Sequence, residues 1–252
     1  MRCHSLLAVL AFAASAHAQS ADDPTRARPE RPTVATHAVA VATGYLEFEA
    51  GVASLRQPSG RDQSAVLTTK LGVARHAQLT ITASLTRPAG GALGADPLFA
   101  GVKWQLGTLR EGRPLFAILP GVTFANGPRS EGRDAALSLM GIVSHAIGPV
   151  GFDLNAAATR LNGVHGRQPY LWAASFGGQV SGPIGWGAEL FGSASETSTT
   201  PTRLLGYVGC TLNPRTVFDA GFTAAILGAQ GVEVFAGVTW NAGRVFGGRA
   251  RR

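Results

Sequence analysis

The sequence predicts an all-β fold: a transmembrane antiparallel β-barrel of about 12 strands, with short periplasmic turns and longer outer loops. Three observations predict it. From Gly44 onward, apolar and polar residues alternate with a period of two, in segments of ~10 residues, the length a tilted strand needs to cross a bilayer. The links between these segments alternate between tight turns and longer polar stretches. Finally, 45% of the chain is apolar and only 15% charged, below the ~25% charged of a soluble domain. No segment reads as an amphipathic helix that could cover a greasy sheet face, so lipid is the expected cover.

Residues 1–18 read as a secretory signal peptide. Arg2 precedes an apolar run from Leu6 to Phe12, and Ala16-His17-Ala18 supplies the small-residue cleavage site. The run is too short for a spanning helix, which needs ~20 apolar residues. Export followed by membrane strands predicts the outer membrane of a Gram-negative bacterium. Once Cys3 leaves with the signal peptide, Cys210 is alone, which excludes an intramolecular disulfide. Residues 19–42, containing "DDPTRARPERPT", form a polar Pro/Arg-rich leader, expected to be extended or disordered. A plug folded back into the protein is the alternative.

The barrel is expected over residues 43–246. In "GYLEFEAGVASL", Leu46, Phe48, Ala50 and Val52 face one way, Glu47 and Glu49 the other. "SAVLTTKLGV", "LTITASLTR", "PLFAGVKWQL", "PLFAILPGVTF" and "ALSLMGIVSHA" continue the pattern. In "GPVGFDLNAAATR", Phe152, Leu154, Ala156 and Ala158 oppose Asp153, Asn155, Ala157 and Thr159. Strand patterns then recur through "YLWAASFGGQVS", "GWGAELFGSA", "RLLGYVGCTL", "VFDAGFTAAI" and "VEVFAGVTWN". Tight turns are expected at Arg75-His76, Gly148-Pro149, Gly182-Pro183 and Asn213-Pro214. Longer outer loops are expected near 56–63, 88–96, 125–134, 162–169 and 195–202, a link of intermediate length at 107–113, and a short one near 228–231. Trp104, Trp186 and Trp240 fall near periplasmic strand ends and Trp172 near an outer end, as amphipathic rings at a bilayer interface do. Residues 247–252 form a basic tail.

The same alternation assigns the lumen. Glu47, Glu49, Lys70, Lys103, Gln105, Asp153, Asn155, Glu189 and Asp219 face inward at mid-height or below. Unpaired charge is costly in such a confined space, so a belt of salt bridges between Lys70, Lys103 and these carboxylates is expected. The belt either braces the barrel or selects permeants by charge. Above it, Phe99, Phe191 and Phe235 point inward, either filling space or meeting an aromatic solute.

The formal charge of +7 and pI near 10.4 come from arginines spread singly through loops, without a basic helix or an aromatic RNA-binding motif. Nucleic acid is therefore not an expected partner. Those arginines suit the phosphates of lipopolysaccharide, so the expected partners are outer-membrane lipid, lipopolysaccharide and a small-molecule permeant, with the oligomeric state open. No cofactor or metal is expected, because the histidines are scattered and lack Cys partners. A strand-borne Ser-His pair would need a spacing of two, and Ser144 and His145 are adjacent, so no enzyme is expected.

With the strands in place, "ATGYLEFEAGV", "LTTKLGVARHAQLTI", "DPLFAGVKWQL", "PLFAILPGVTFANG" and "FGGQVSGPIGWGAELFG" resemble the outer-membrane transporter family named for the MetA pathway of phenol degradation. The likeness runs over roughly residues 44–246 as an order of strand motifs. It implies an outer-membrane barrel passing small, often aromatic, solutes, and supplies no catalytic residue. The chain departs from common barrel practice at its end, where Phe246 is followed by "GGRARR". The expected function is passive diffusion of small molecules; a closed structural or lipid-interacting barrel and a membrane-embedded lipid hydrolase are the alternatives.

Overall fold

A computed structural model describes residues 23–124, 135–161, 169–195, 198–199, 202–227 and 231–247. The expected signal peptide, the outer loop at 125–134 and nearly all of the loop at 162–169 and of the tail at 247–252 lie outside the described residues.

Twelve long strands make the wall: β1 (Tyr45–Gln57), β2 (Gly60–Ala74), β3 (Ala77–Arg87), β5 (Leu98–Leu106), β6 (Leu115–Phe124), β7 (Ala135–Ile147), β8 (Val150–Leu161), β9 (Tyr170–Ser181), β10 (Ile184–Ser195), β12 (Arg203–Asn213), β13 (Thr216–Ala225) and β14 (Val232–Arg244). Two short pieces, β4 (Gly94–Ala95) and β11 (Ser198–Thr199), pair beside β3 and β10 in the outer connections. Each long strand pairs antiparallel with the next, and β14 pairs with β1, so the sheet closes on itself. Closure removes both sheet edges, which a membrane-spanning sheet requires because lipid offers no hydrogen-bond partner.

Period two decides what faces where. Leu154 is 52% exposed on the outer surface while its neighbour Asn155 is 5% exposed inside. Val52, Leu67, Ile118, Leu139, Val208, Phe218 and Val234 share the outer surface. Arginine on the lipid face near the bilayer midplane costs about 2–4 kcal/mol. Leu154→Arg is therefore expected to reduce the folded fraction sharply, whereas Asn155→Arg still inserts. Heat-modified gel mobility after refolding into lipid reads the difference, and equal behaviour of the two would overturn this facing.

Trp104, Trp172 and Trp240 stand exposed on the same outer surface near strand ends. Phe48 stacks on Trp240 at 6.0 Å between centroids, and Phe176 meets Trp186 edge-on at 5.8 Å. One loop is shorter than the sequence predicts. Gln57 pairs with Gly60, so β1 and β2 continue to a two-residue turn at Pro58-Ser59 in place of a loop over 56–63. Polar residues such as Arg56 and Arg61 pair there as strand neighbours, because both faces of a hairpin rising past the bilayer are wet. Between β5 and β6 the ladder skips Val102 and Lys103 opposite Leu119 and Pro120; proline has no N–H to donate.

The buried core lies inside the barrel. Leu115, Ala117 and Leu119 of β6 and Ile142 of β7 enclose Ala38, with Val39, Phe99 and Met140 packed around them. Ala38 and Val39 belong to the leader.

Candidate functional site: the lumen and its leader

From residue 23 the leader lies ordered within the barrel, folded back into the protein as in the alternative to an extended or disordered segment. A polar, proline-rich segment cannot bury enough apolar surface to fold alone. Here the wall supplies its partners. Ala27 N–H donates to the Pro214 carbonyl at 2.8 Å, and Asn241 Nδ2 donates to the carbonyls of Pro24 and Arg26. The leader then passes β1, crosses to β10 and β8, and returns by β7, β5 and β3 to join β1.

Along this path the wall holds the backbone more than the side chains. Glu47 Oε2 accepts from Arg28 N at 2.8 Å, and the two Glu49 oxygens accept from Glu30 N and Arg31 N at 2.7 and 3.1 Å. Glu189 accepts from Val34 N and Ala35 N at 2.9 and 3.1 Å. Asn155 accepts from Thr36 N at 2.7 Å and donates to the Thr36 carbonyl at 2.9 Å, closing a two-bond clamp. Ser144 Oγ, Gln105 Oε1 and Gln78 Oε1 accept from Ala38, Ala40 and Val41 at 2.7, 3.0 and 2.8 Å. These carboxylates and amides supply in side chains what a neighbouring strand would supply in carbonyls.

The two lysines tie wall and leader together. Lys70 Nζ lies 2.5 Å from Glu47, 2.6 Å from Glu49 and 2.6 Å from the Arg28 carbonyl. Lys103 pairs with Glu30 of the leader and donates to the His37 carbonyl at 2.9 Å. On the wall, Lys70, Glu47 and Glu49 thus form one ion-paired cluster. Among the described ion pairs, however, Lys103 meets a leader carboxylate and no wall carboxylate. Asp153 accepts a hydrogen bond from Ser144, and Asp219 faces Arg31.

In the leader, burial pushes the Glu30 carboxyl up, but the Lys103 and Lys70 charges outweigh it and hold it below the usual carboxylate range. Burial first, then the Lys103 charge, pulls the His37 imidazole down to about 3, so His37 sits neutral beside two ammoniums.

The three phenylalanines follow the inward alternation, and two of them have defined neighbours. Phe99 lies across Gly101 and Gly121, where a Cβ at either would come within 2.7 Å of its ring. Phe235 is buried against Gly221, and the strand register sets Phe191 between Ala173 and Arg203. Sequence reasoning missed Gln78, Ser144, Tyr207, Thr239 and Asn241 as lumen residues. Gln78 was accessible to it: in "AQLTITASLTR" it shares parity with Thr80 and Thr82. Among the described residues, no group of three or more His, Cys, Asp or Glu side chains could hold a metal.

No protein-family model matches the chain. No curated protein matches it either. Solved structures do. The NanC porin is 8% identical with a TM-score of 0.56, covering 77% of this chain and 98% of that one. An outer membrane channel from Pseudomonas putida F1 is 10% identical with a TM-score of 0.55, covering 81% and 97%. The CymD monoaromatic hydrocarbon channel is 9% identical with a TM-score of 0.51, covering 81% and 90%. At these identities the likeness is one of fold, and the fold is the transmembrane antiparallel β-barrel.

Proposed function

We propose that this chain is an outer-membrane channel for small molecules whose lumen is closed, in the conformation described, by its own leader. The observation that carries the reading is the way the leader is held. Its grip is a file of backbone N–H bonds to Glu47, Glu49, Glu189, Asn155, Ser144, Gln105 and Gln78, each of which water can replace. Among the described residues, the leader's clustered apolar contact is Ala38 and Val39 against β5, β6 and β7, and its other buried apolar side chains, Ala27, Ala35, Ala40 and Val41, are mostly alanines. A segment fastened this way leaves behind a polar, hydrated bore when it moves.

Aromatic or hydrophobic solutes are the permeants this reading favours. Its supports are the resemblance to the MetA-pathway transporters, the inward Phe99, Phe191 and Phe235, and the apolar lumen strip of Leu115, Ala117 and Leu119. Outside, the exposed Arg56, Arg61 and Arg87 suit lipopolysaccharide phosphates. The competing reading is a permanently closed barrel, favoured by Lys70 and Lys103, each of which bonds the leader.

Planar-bilayer recordings of the full chain and of a variant lacking residues 19–42 separate the two. Discrete conductance steps that grow in the shortened variant, and that benzoate blocks, are the expected result. Steps without block would leave a channel of other specificity. A correctly inserted shortened barrel that stays silent would overturn the channel reading.

A further inference from the structure

On the lumen face, Gly51 of β1 stands opposite Gly237 of β14, and Gly237 stands opposite Asp219 of β13. This row of three strands carries two side-chain-free positions ending at a carboxylate. The Arg31 guanidinium lies flat in the gap. A Cβ at Gly51 would fall 2.1 Å from its Cζ, and one at Gly237 would fall 2.7 Å from its Nε. Neither glycine has a positive φ, so it is space beside the wall, and not backbone conformation, that these positions provide.

The fit is incomplete at the charged end. Arg31 Nη2 is 3.6 Å from Asp219 Oδ1, an ion pair without a hydrogen bond. The Asp219 side chain is only 3% exposed, yet among the described residues neither of its oxygens has a hydrogen-bond partner, nor does Arg31 Nε. A buried carboxylate left in that state asks for a donor. Beside it is a cavity of about 90 Å³, bordered by Asp153, Ser175, Tyr207 and His37 as well as by Arg31 and Asp219. The wall's own belt holds Glu47, Glu49, Asp153, Glu189 and Asp219 against Lys70 and Lys103, so its balance is acidic wherever the leader is absent.

We propose that Gly51, Gly237 and Asp219 form a recognition slot for a guanidinium or amidinium group, occupied in the closed state by Arg31 and open to small planar cations that compete with it. The flatness set by the two glycines selects a planar ion over a tetrahedral ammonium. The carboxylate offers two oxygens to a guanidinium fork, a geometry an ammonium cannot match. Taken with the channel reading on which it rests, this makes small guanidinium-bearing solutes a class of permeant that also loosens the leader.

The test uses the full chain with Arg31→Ala, which empties the slot while leaving the remaining leader contacts in place. Calorimetric titration with arginine methyl ester is compared with lysine methyl ester, which has equal charge and a tetrahedral head. At least tenfold tighter binding of the arginine ester is expected. That preference should vanish when Gly237→Ala or Asp219→Asn is added to Arg31→Ala, and the unmodified chain should bind the arginine ester more weakly than Arg31→Ala does. Circular dichroism and heat-modified mobility verify that each variant is folded. Equal affinity for the two esters, or a preference that survives both added substitutions, would overturn the slot. Because binding is read without current, a silent bilayer would count against the channel and leave the slot standing, and the converse also holds.

Discussion

Replacing Lys70 with Met is expected to weaken the folded barrel by about 3–5 kcal/mol, the usual cost of removing one partner from a buried ion pair. The Lys70 ammonium stands 2.5 and 2.6 Å from two carboxylates that are 0% and 1% exposed, and it also donates to the Arg28 carbonyl. Methionine fills most of the same volume, so the loss would be electrostatic and not a packing defect. Two buried carboxylates would be left with leader amides on one side and without the ammonium that lies between them. Adding Glu47→Gln and Glu49→Gln should recover much of the stability, as neutral replacement of a whole buried cluster often does. Urea unfolding in lipid vesicles measures both variants against the unaltered chain. A loss under about 1 kcal/mol, the range of an exposed pair, would mean that water reaches this cluster freely.

Gly72→Val is expected to raise the open probability by roughly 10- to 100-fold while changing no charge. Gly72 is where the leader leaves the lumen: its carbonyl accepts from Gly44 N at 2.7 Å, and Thr43 bridges to it. A Cβ at Gly72 would lie 2.1 Å from the Ala42 carbonyl oxygen and 2.5 Å from that of Val41. Those are backbone atoms, which no change of rotamer relieves. Overpacking of this kind costs about 1–3 kcal/mol, and each 1.4 kcal/mol is a factor of ten in an equilibrium. The strain falls on the docked state alone, since a lifted leader vacates the space. Single-channel recording in a planar bilayer gives the ratio. An open probability equal to that of the unaltered chain would show that the end of the leader does not govern closure.

The wall was legible in the sequence because one physical rule, alternation between lipid and lumen, governs nearly every strand. Leu154 and Asn155 show it residue by residue. Where the rule is silent, so was the reading. "PLFAILPGVTF" is apolar on both faces, and nothing in it foretold that Leu115, Ala117 and Leu119 turn inward while Phe116 and Ile118 turn outward. Glu47, Glu49, Lys70 and Lys103 were readable as lumen charges, but the identity of their partners was not. The wall recognises the leader through main-chain N–H groups, which every residue except proline carries, so the docking leaves no pattern in "TRARPERPT" beyond one that also suits disorder. The gap occupied by Arg31 is marked by two glycines among 33, which carry no signal of their own.

The leader runs directly into β1 through Thr43 and Gly44. A segment joined to its own receptor by so short a link is never diluted away. Its effective concentration at the lumen is on the order of millimolar, however sparse the protein is in the membrane. In the channel proposed here, reclosure is therefore a first-order event whose rate is independent of expression level. A soluble competitor must outbid a tethered rival and not merely find a vacant site, so the external concentration needed to hold the bore open is set by the tether as much as by the competitor's own affinity.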